Sequence, residues 1–189
     1  MTHPADNLWQ RGDRFLEMRS HWFTLIGEHW VDHQGHPLEY WRVERADSAI
    51  VLPLQAGKLL LPRPTYRPGV GTATSDFPGG RVVAGQSPAS VAQRALVREL
   101  AVPATAILQL MPLNSTGWAV NSSFSNQVLY SFVAELCPDH PWADGQIDQA
   151  VPTTLAGLQT LLQRLTCLQC RAVLLEWWWG QRALQDSNL

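Results

Sequence analysis

Lysine is almost missing from this chain: Lys58 is the only one, and arginine carries nearly all the positive charge. The formal net charge of −2 excludes the basic footprint of a nucleic-acid or anionic-membrane binder. Cysteine is scarce too. Cys137, Cys167 and Cys170 are too few for a disulfide framework. Cys167 and Cys170 form a C-x-x-C pair with no second ligand pair in the sequence, so zinc is not expected. The pair lies beside a helical run, not after a first strand, so a redox motif is not expected either. The cysteines read as small core thiols. No run approaches the ~18 apolar residues of a membrane span. The opening MTHPADNLWQRGDRF lacks an apolar signal core. The expectation is a cytoplasmic protein with no membrane and no nucleic-acid partner.

Tryptophan, by contrast, is abundant, at nine residues. Trp9, Trp22, Trp30 and Trp41 crowd the first quarter, and Trp177–Trp179 are consecutive. Neighbours on a helix face are three and four residues apart, so three consecutive rings cannot share one face. At least one is expected to be exposed or to meet another chain.

Length and periodicity give an outline. A chain of 189 residues suits one domain with an N-terminal extension. Residues 6–20 read as a short helix or irregular arm. Trp22–Val31 and Leu38–Glu44 read as a hairpin across His33-Gln34-Gly35-His36. Ala49–Gln55 is apolar enough for a central strand, and Ala56-Gly57 turns it into Lys58–Pro62. Thr65–Gly71 reads as a loop. Ser87 and Pro88 are an N-cap and first-turn proline, so a helix is expected over Pro88–Leu100, ended by Pro103. Ala106–Met111 and Asn126–Leu136 follow as strands and Cys137–Gln149 as a loop. Thr153–Leu165 and Cys170–Gly180 are the last helices. The expected class is α+β, with residues 1–48 as arm and hairpin and 49–189 as the main domain.

One segment carries chemistry. Gly80–Val102, GRVVAGQSPASVAQRALVRELAV, is similar to the Nudix pattern G-x5-E-x7-R-E-U-x-E-E-x-G-U, where U is bulky and apolar. Gly80, Arg94, Leu96, Glu99 and Val102 match it. Gln86, Ala95 and Arg98 stand at three of its glutamates, and Ala101 stands at its late glycine. The flanks, with Arg63-Pro64-Thr65-Tyr66-Arg67 and Ser75-Asp76-Phe77-Pro78-Gly79-Gly80, resemble the ADP-ribose pyrophosphatase branch of that family. The likeness spans roughly residues 22–179 and is specific over 49–102.

The resemblance implies a Nudix fold, an α/β/α sandwich with a curved mixed sheet and an N-terminal β-hairpin. It implies a cleft for a nucleoside diphosphate linked to another moiety, and a homodimer that exchanges N-terminal elements. It implies Mg or Mn as cofactor, held by Glu99 and the Gly79 carbonyl, with Glu99 the surviving catalytic carboxylate. Ala95 and Arg98 occupy two ligand positions and are expected to face the cleft. A guanidinium about 5 Å from a divalent ion is repelled by ~2–7 kcal/mol at effective dielectrics of about 80 to 20. Catalysis is therefore expected to be impaired. A Gln86–Arg94 hydrogen bond is expected in place of an ion pair. Arg63, Arg67, Arg81 and Arg98 are candidate phosphate forks. Asp139, Asp144 and Asp148 are candidates for a further acid, and no spacing selects among them. A non-catalytic nucleotide-sugar sensor and a scaffold used only for interactions stay open as alternatives.

Overall fold

The computed structural model describes residues 8–142 and 145–186, which fall into two units. The first unit runs to Ala46 and also takes Ala119–Val128. Its strands are β1 (Gln10–Arg19), β2 (Thr24–Val31) and β3 (Pro37–Glu44), in one antiparallel sheet ordered β1-β2-β3. The expected hairpin is β2–β3. The segment read as a helix or arm is instead β1, paired with β2 along most of its length. Register shifts between Arg11 and Arg14, and again between Arg14 and Leu16, break the period of two, so the sequence alternation is masked.

Both faces of this sheet carry aromatic rings. On one, Phe15 meets Trp41 edge-on at 5.4 Å and lies over Gly27, where a Cβ would be 2.6 Å from the ring. The other face carries Glu28, which is 1% exposed. Arg14, its cross-strand neighbour on β1, donates to Oε1 from Nε at 3.2 Å and Nη2 at 3.1 Å. Arg42 on β3 donates from Nε to Oε2 at 3.0 Å and from Nη2 to Oε1 at 3.2 Å. These hydrogen bonds, Arg42's above all, hold the Glu28 carboxyl down at about 2.

A carboxyl depressed in the folded state stabilises above its unfolded value of about 4.3 and loses that contribution as pH falls toward 2. The Glu28 share is ~1–3 kcal/mol. Glu28→Gln should therefore flatten the loss of stability between about pH 4.5 and 2. Urea titrations followed by circular dichroism, at neutral pH and near pH 3, measure the difference. Equal pH slopes in both proteins would refute the assignment.

The second unit spans Asp47–Trp118 and the chain from Leu129 onward. Ala49-Ile50-Val51-Leu52 leaves neither side of a strand polar, so both faces need cover. These residues lie in β4 (Asp47–Gln55), and all four are buried. Ala56 and Gly57, both at positive φ, make the two-residue turn into β5 (Lys58–Leu61), as expected. The segment expected to be a loop makes a small hairpin of β6 (Thr65–Arg67) and β7 (Thr72–Thr74). Its alternation is too short for periodicity to register.

Next come β8 (Gly79–Val82) and α1 (Pro88–Leu100). The helix has the expected bounds, with Ser87 Oγ accepting from Ser90 N–H at 3.2 Å and Pro88 opening it. β9 (Ile107–Pro112), the two-residue β10 (Trp118–Ala119), β11 (Val128–Leu136) and β12 (Gln149–Pro152) follow, then α2 (Leu155–Arg164) and α3 (Leu168–Asp186). The main sheet runs β10-β11-β4-β5-β12, with β8 on β4 and β9 on β11. β11 is parallel to β4 while β5, β8 and β9 pair antiparallel, so the sheet is mixed.

Strand side chains alternate between faces. Ala49 and Val51 of β4 and Phe132 and Ala134 of β11 pack with Val91, Ala92, Leu96 and Leu100 of α1. Ile50 and Leu52 point the other way and are buried too, and α3 also packs on β4. Helix, sheet and helix thus form the expected layers of an α+β domain. Trp177 is buried and Trp179 is 75% exposed, as three consecutive rings on a helix require. Among the described residues, no helix is long and apolar enough to cross a membrane.

Candidate functional site

Two glycines set the geometry of the site. Gly79 and Gly80 lie in β8 against β4, opposite Ile50 and Ala49. A Cβ on Gly79 would come within 2.8 Å of the Ala49 carbonyl oxygen, and one on Gly80 within 2.9 Å of Val91. The close approach brings the Gly79 backbone beside the last turn of α1. There Glu99 Oε1 accepts a long hydrogen bond from Gly79 N–H at 3.5 Å.

Arg98 completes the arrangement. Its Nη2 donates to the Gly79 carbonyl at 2.6 Å and to Glu99 Oε1. The one guanidinium nitrogen bridges both oxygens that the sequence offers as metal ligands. The donor set therefore does not fit a divalent cation as it stands: one carboxylate and one carbonyl converge on a fixed positive charge. Magnesium wants such oxygens for itself, with near-ideal octahedral geometry.

Ala95 departs from expectation. It is completely buried and does not line the cavity. Residue 95 sits one turn before Arg98 on α1, among the helix's buried positions. One neighbouring expectation holds. Gln86 Oε1 accepts from Arg94 Nη2 at 2.6 Å, closing the loop before α1 without a second charge. Ala101, at the pattern's late glycine, sits in the left-handed region at φ 52° and ends the helix. That conformation suits glycine and costs alanine about 1 kcal/mol.

Glu99 and Gly79 lie on the wall of a cavity of about 670 Å³, within the usual size of a small-molecule site. All four candidate arginines, Arg63, Arg67, Arg81 and Arg98, line it. They come from β6, β8, α1 and the segment after β5. Arg67 is committed to Asp76, donating to Oδ2 from Nε at 3.0 Å and from Nη2 at 2.9 Å. Of the three candidate acids, Asp139 and Asp148 do not line the cavity. Asp144 lies outside the described residues.

Sequence reasoning missed one wall of this cavity. Asp76, Cys167 and Cys170 line it together, and their ligand atoms lie within 4.8 Å of one another. Cys170 is buried as expected, but Cys167 is only half-buried. A hydrogen bond from the Cys170 thiol favours the Cys167 thiolate and brings its pKa down to about 6. Sharing that proton, together with burial, pushes Cys170 up. Asp76 lies some ninety residues away in sequence, so no spacing rule links it to the cysteines.

A solved structure of an ADP compounds hydrolase shares this architecture, with a TM-score of 0.65 at 21% identity. The match covers 91% of this chain and 96% of that one. At that identity the likeness establishes the fold, which is the Nudix type expected from the sequence. No protein-family model and no curated protein matches the chain.

Proposed function

We propose that the chain binds a nucleoside diphosphate joined to another moiety, and that metal-dependent hydrolysis in this cleft is impaired. The observation that carries the reading is Arg98 bridging the Gly79 carbonyl and Glu99. A guanidinium fixed there supplies positive charge where a hydrolase of this fold would place an ion. Both bonds use Nη2, so a phosphate would approach the other edge of the fork. Arg63 and Arg81 on the same cavity add charge for a second phosphate. The ADP compounds hydrolase of the same fold suggests the ligand class. Two alternatives are weighed against this: an active hydrolase using Mg or Mn, and a scaffold with no small ligand. The impaired donor set disfavours the first and the open arginine-lined cavity the second.

The test is calorimetric titration of ADP-ribose into metal-free protein, with chromatographic assay of hydrolysis in Mg and Mn. Binding is expected without metal, weakened about tenfold in Arg81→Ala, which is a loss of ~1.4 kcal/mol. Turnover is expected well below about 1 per second, the lower range for ordinary enzymes. Absence of binding would refute the ligand, and turnover above that rate would refute the impairment. Sedimentation of the same samples addresses the proposed homodimer, which is supported by the exposure of Phe15, Trp22 and Trp41 in the first unit. A monomer at micromolar concentration would count against it.

A further inference from the structure

We propose that Asp76, Cys167 and Cys170 form a binding site for a thiophilic divalent cation, zinc above all, on the wall of the cavity. The site goes beyond the nucleotide reading and stands without it.

Three features converge. First, the donors are close enough. One carboxylate oxygen and two sulfurs lie within 4.8 Å of one another. Tetrahedral zinc, with bonds of about 2.3 Å to sulfur and 2.0–2.2 Å to oxygen, needs separations of ~3.6–3.8 Å. Small side-chain rotations cover that difference.

Second, the carboxylate is already oriented. Asp76 Oδ2 is held by Arg67 and accepts from the Thr74 hydroxyl at 3.0 Å. Oδ1 is thereby turned toward the thiols, 4.0 Å from Cys170 Sγ. Such supporting bonds to a ligating carboxylate are what a metal site uses to fix its donors.

Third, the cysteines are paired at the start of a helix. Cys167 immediately precedes α3, its carbonyl accepts from Arg171 N–H at 3.0 Å, and Cys170 lies one turn on. Positions three apart share a helix face, and the N-terminal dipole favours anionic sulfur. The C-x2-C spacing is common among zinc ligands.

Three protein donors leave a fourth tetrahedral position, and because all three line the cavity that position faces it. Water or a ligand oxygen would occupy it. Sulfur donors select zinc or cobalt over magnesium, so this chemistry is distinct from that at Glu99.

The experiment titrates Co²⁺ into the full-length chain under a phosphine reductant, without nucleotide, followed by displacement with Zn²⁺. The expected result is one Co²⁺ per chain, with thiolate-to-cobalt charge transfer and visible bands of tetrahedral intensity. Asp76→Asn should weaken binding at least tenfold, and Cys167→Ser should cut the charge-transfer intensity by about half or more. As a check independent of variants, Zn²⁺ should protect the half-buried Cys167 of the wild type from alkylation while Cys137 reacts unchanged. The proposal is overturned if the wild type shows no charge-transfer band and no zinc protection. It is overturned equally if Asp76→Asn binds as tightly as wild type, or if the reduced chain re-forms a Cys167–Cys170 disulfide instead of taking up metal.

Discussion

Arg98→Glu should bind Mn²⁺ at least about ten times more tightly than the wild type, a gain of ~1.4 kcal/mol or more. The wild-type guanidinium sits on both candidate ligand oxygens, the Gly79 carbonyl and Glu99. Its repulsion of a divalent ion about 5 Å away is ~2–7 kcal/mol, depending on solvation. Half of Arg98 or more is exposed, at 61% of its side chain, which favours the lower end. Arg98→Ala separates the two contributions. It relieves the repulsion without adding a ligand, so it should fall between wild type and Arg98→Glu. The fold should tolerate either change within about 0.5 kcal/mol, because the pair it breaks is at the surface. Arg98→Glu should also weaken metal-free ADP-ribose binding, since it removes one fork from the cavity. Calorimetric Mn²⁺ titration of the three proteins measures the series. Equal affinities throughout would mean that Glu99 and Gly79 do not form a metal position once Arg98 is gone.

Most of the second unit was legible in the sequence. Buried strands announce themselves as apolar runs, and the α1 boundaries follow from Ser87 and Pro88, whose roles are local. The errors lie where local signals fail. β1 is broken by register shifts, so neither its alternation nor its pairing shows in one dimension. β6–β7 has three residues per strand, too few to display a period. β12 is four residues long, and its position depends on β5, which it pairs with.

The site divides along the same line. The four arginines were found by type and by their place in a pattern, and they do share one cavity. The Gln86–Arg94 bond was readable because both partners flank one loop. The role of Arg98 as a bridge was not, because it depends on how β8 is laid against α1. In sequence the cysteines read as core thiols because their third partner, Asp76, is brought to them only by the fold. The same contact recasts Arg67, which holds a carboxylate and is not simply a phosphate fork.

Ala95→Glu should destabilise the protein by about 3 kcal/mol or more, although the sequence pattern places a glutamate there. Ala95 is fully buried on α1. A larger side chain in a packed core costs ~1–3 kcal/mol through displaced neighbours. A carboxyl without a partner adds ~1–3 kcal/mol. Against a typical total stability of 5–15 kcal/mol the loss is large. Arg98→Glu, one turn on and exposed, is the matched control, since it introduces the same side chain at the helix surface. Mn²⁺ distinguishes packing from ligation. A metal that binds only the folded state stabilises it by RT ln(1 + [L]/Kd), about 2.7 kcal/mol at a hundredfold excess over Kd. No such rescue is expected for Ala95→Glu alone, because its carboxylate points into the core and Arg98 still holds the two oxygens. Thermal unfolding of both variants, with and without saturating Mn²⁺, is the measurement. If Ala95→Glu proves as stable as Arg98→Glu, or if Mn²⁺ restores it fully, then residue 95 reaches the cavity. The helix would then present a three-carboxylate metal site one substitution at a time.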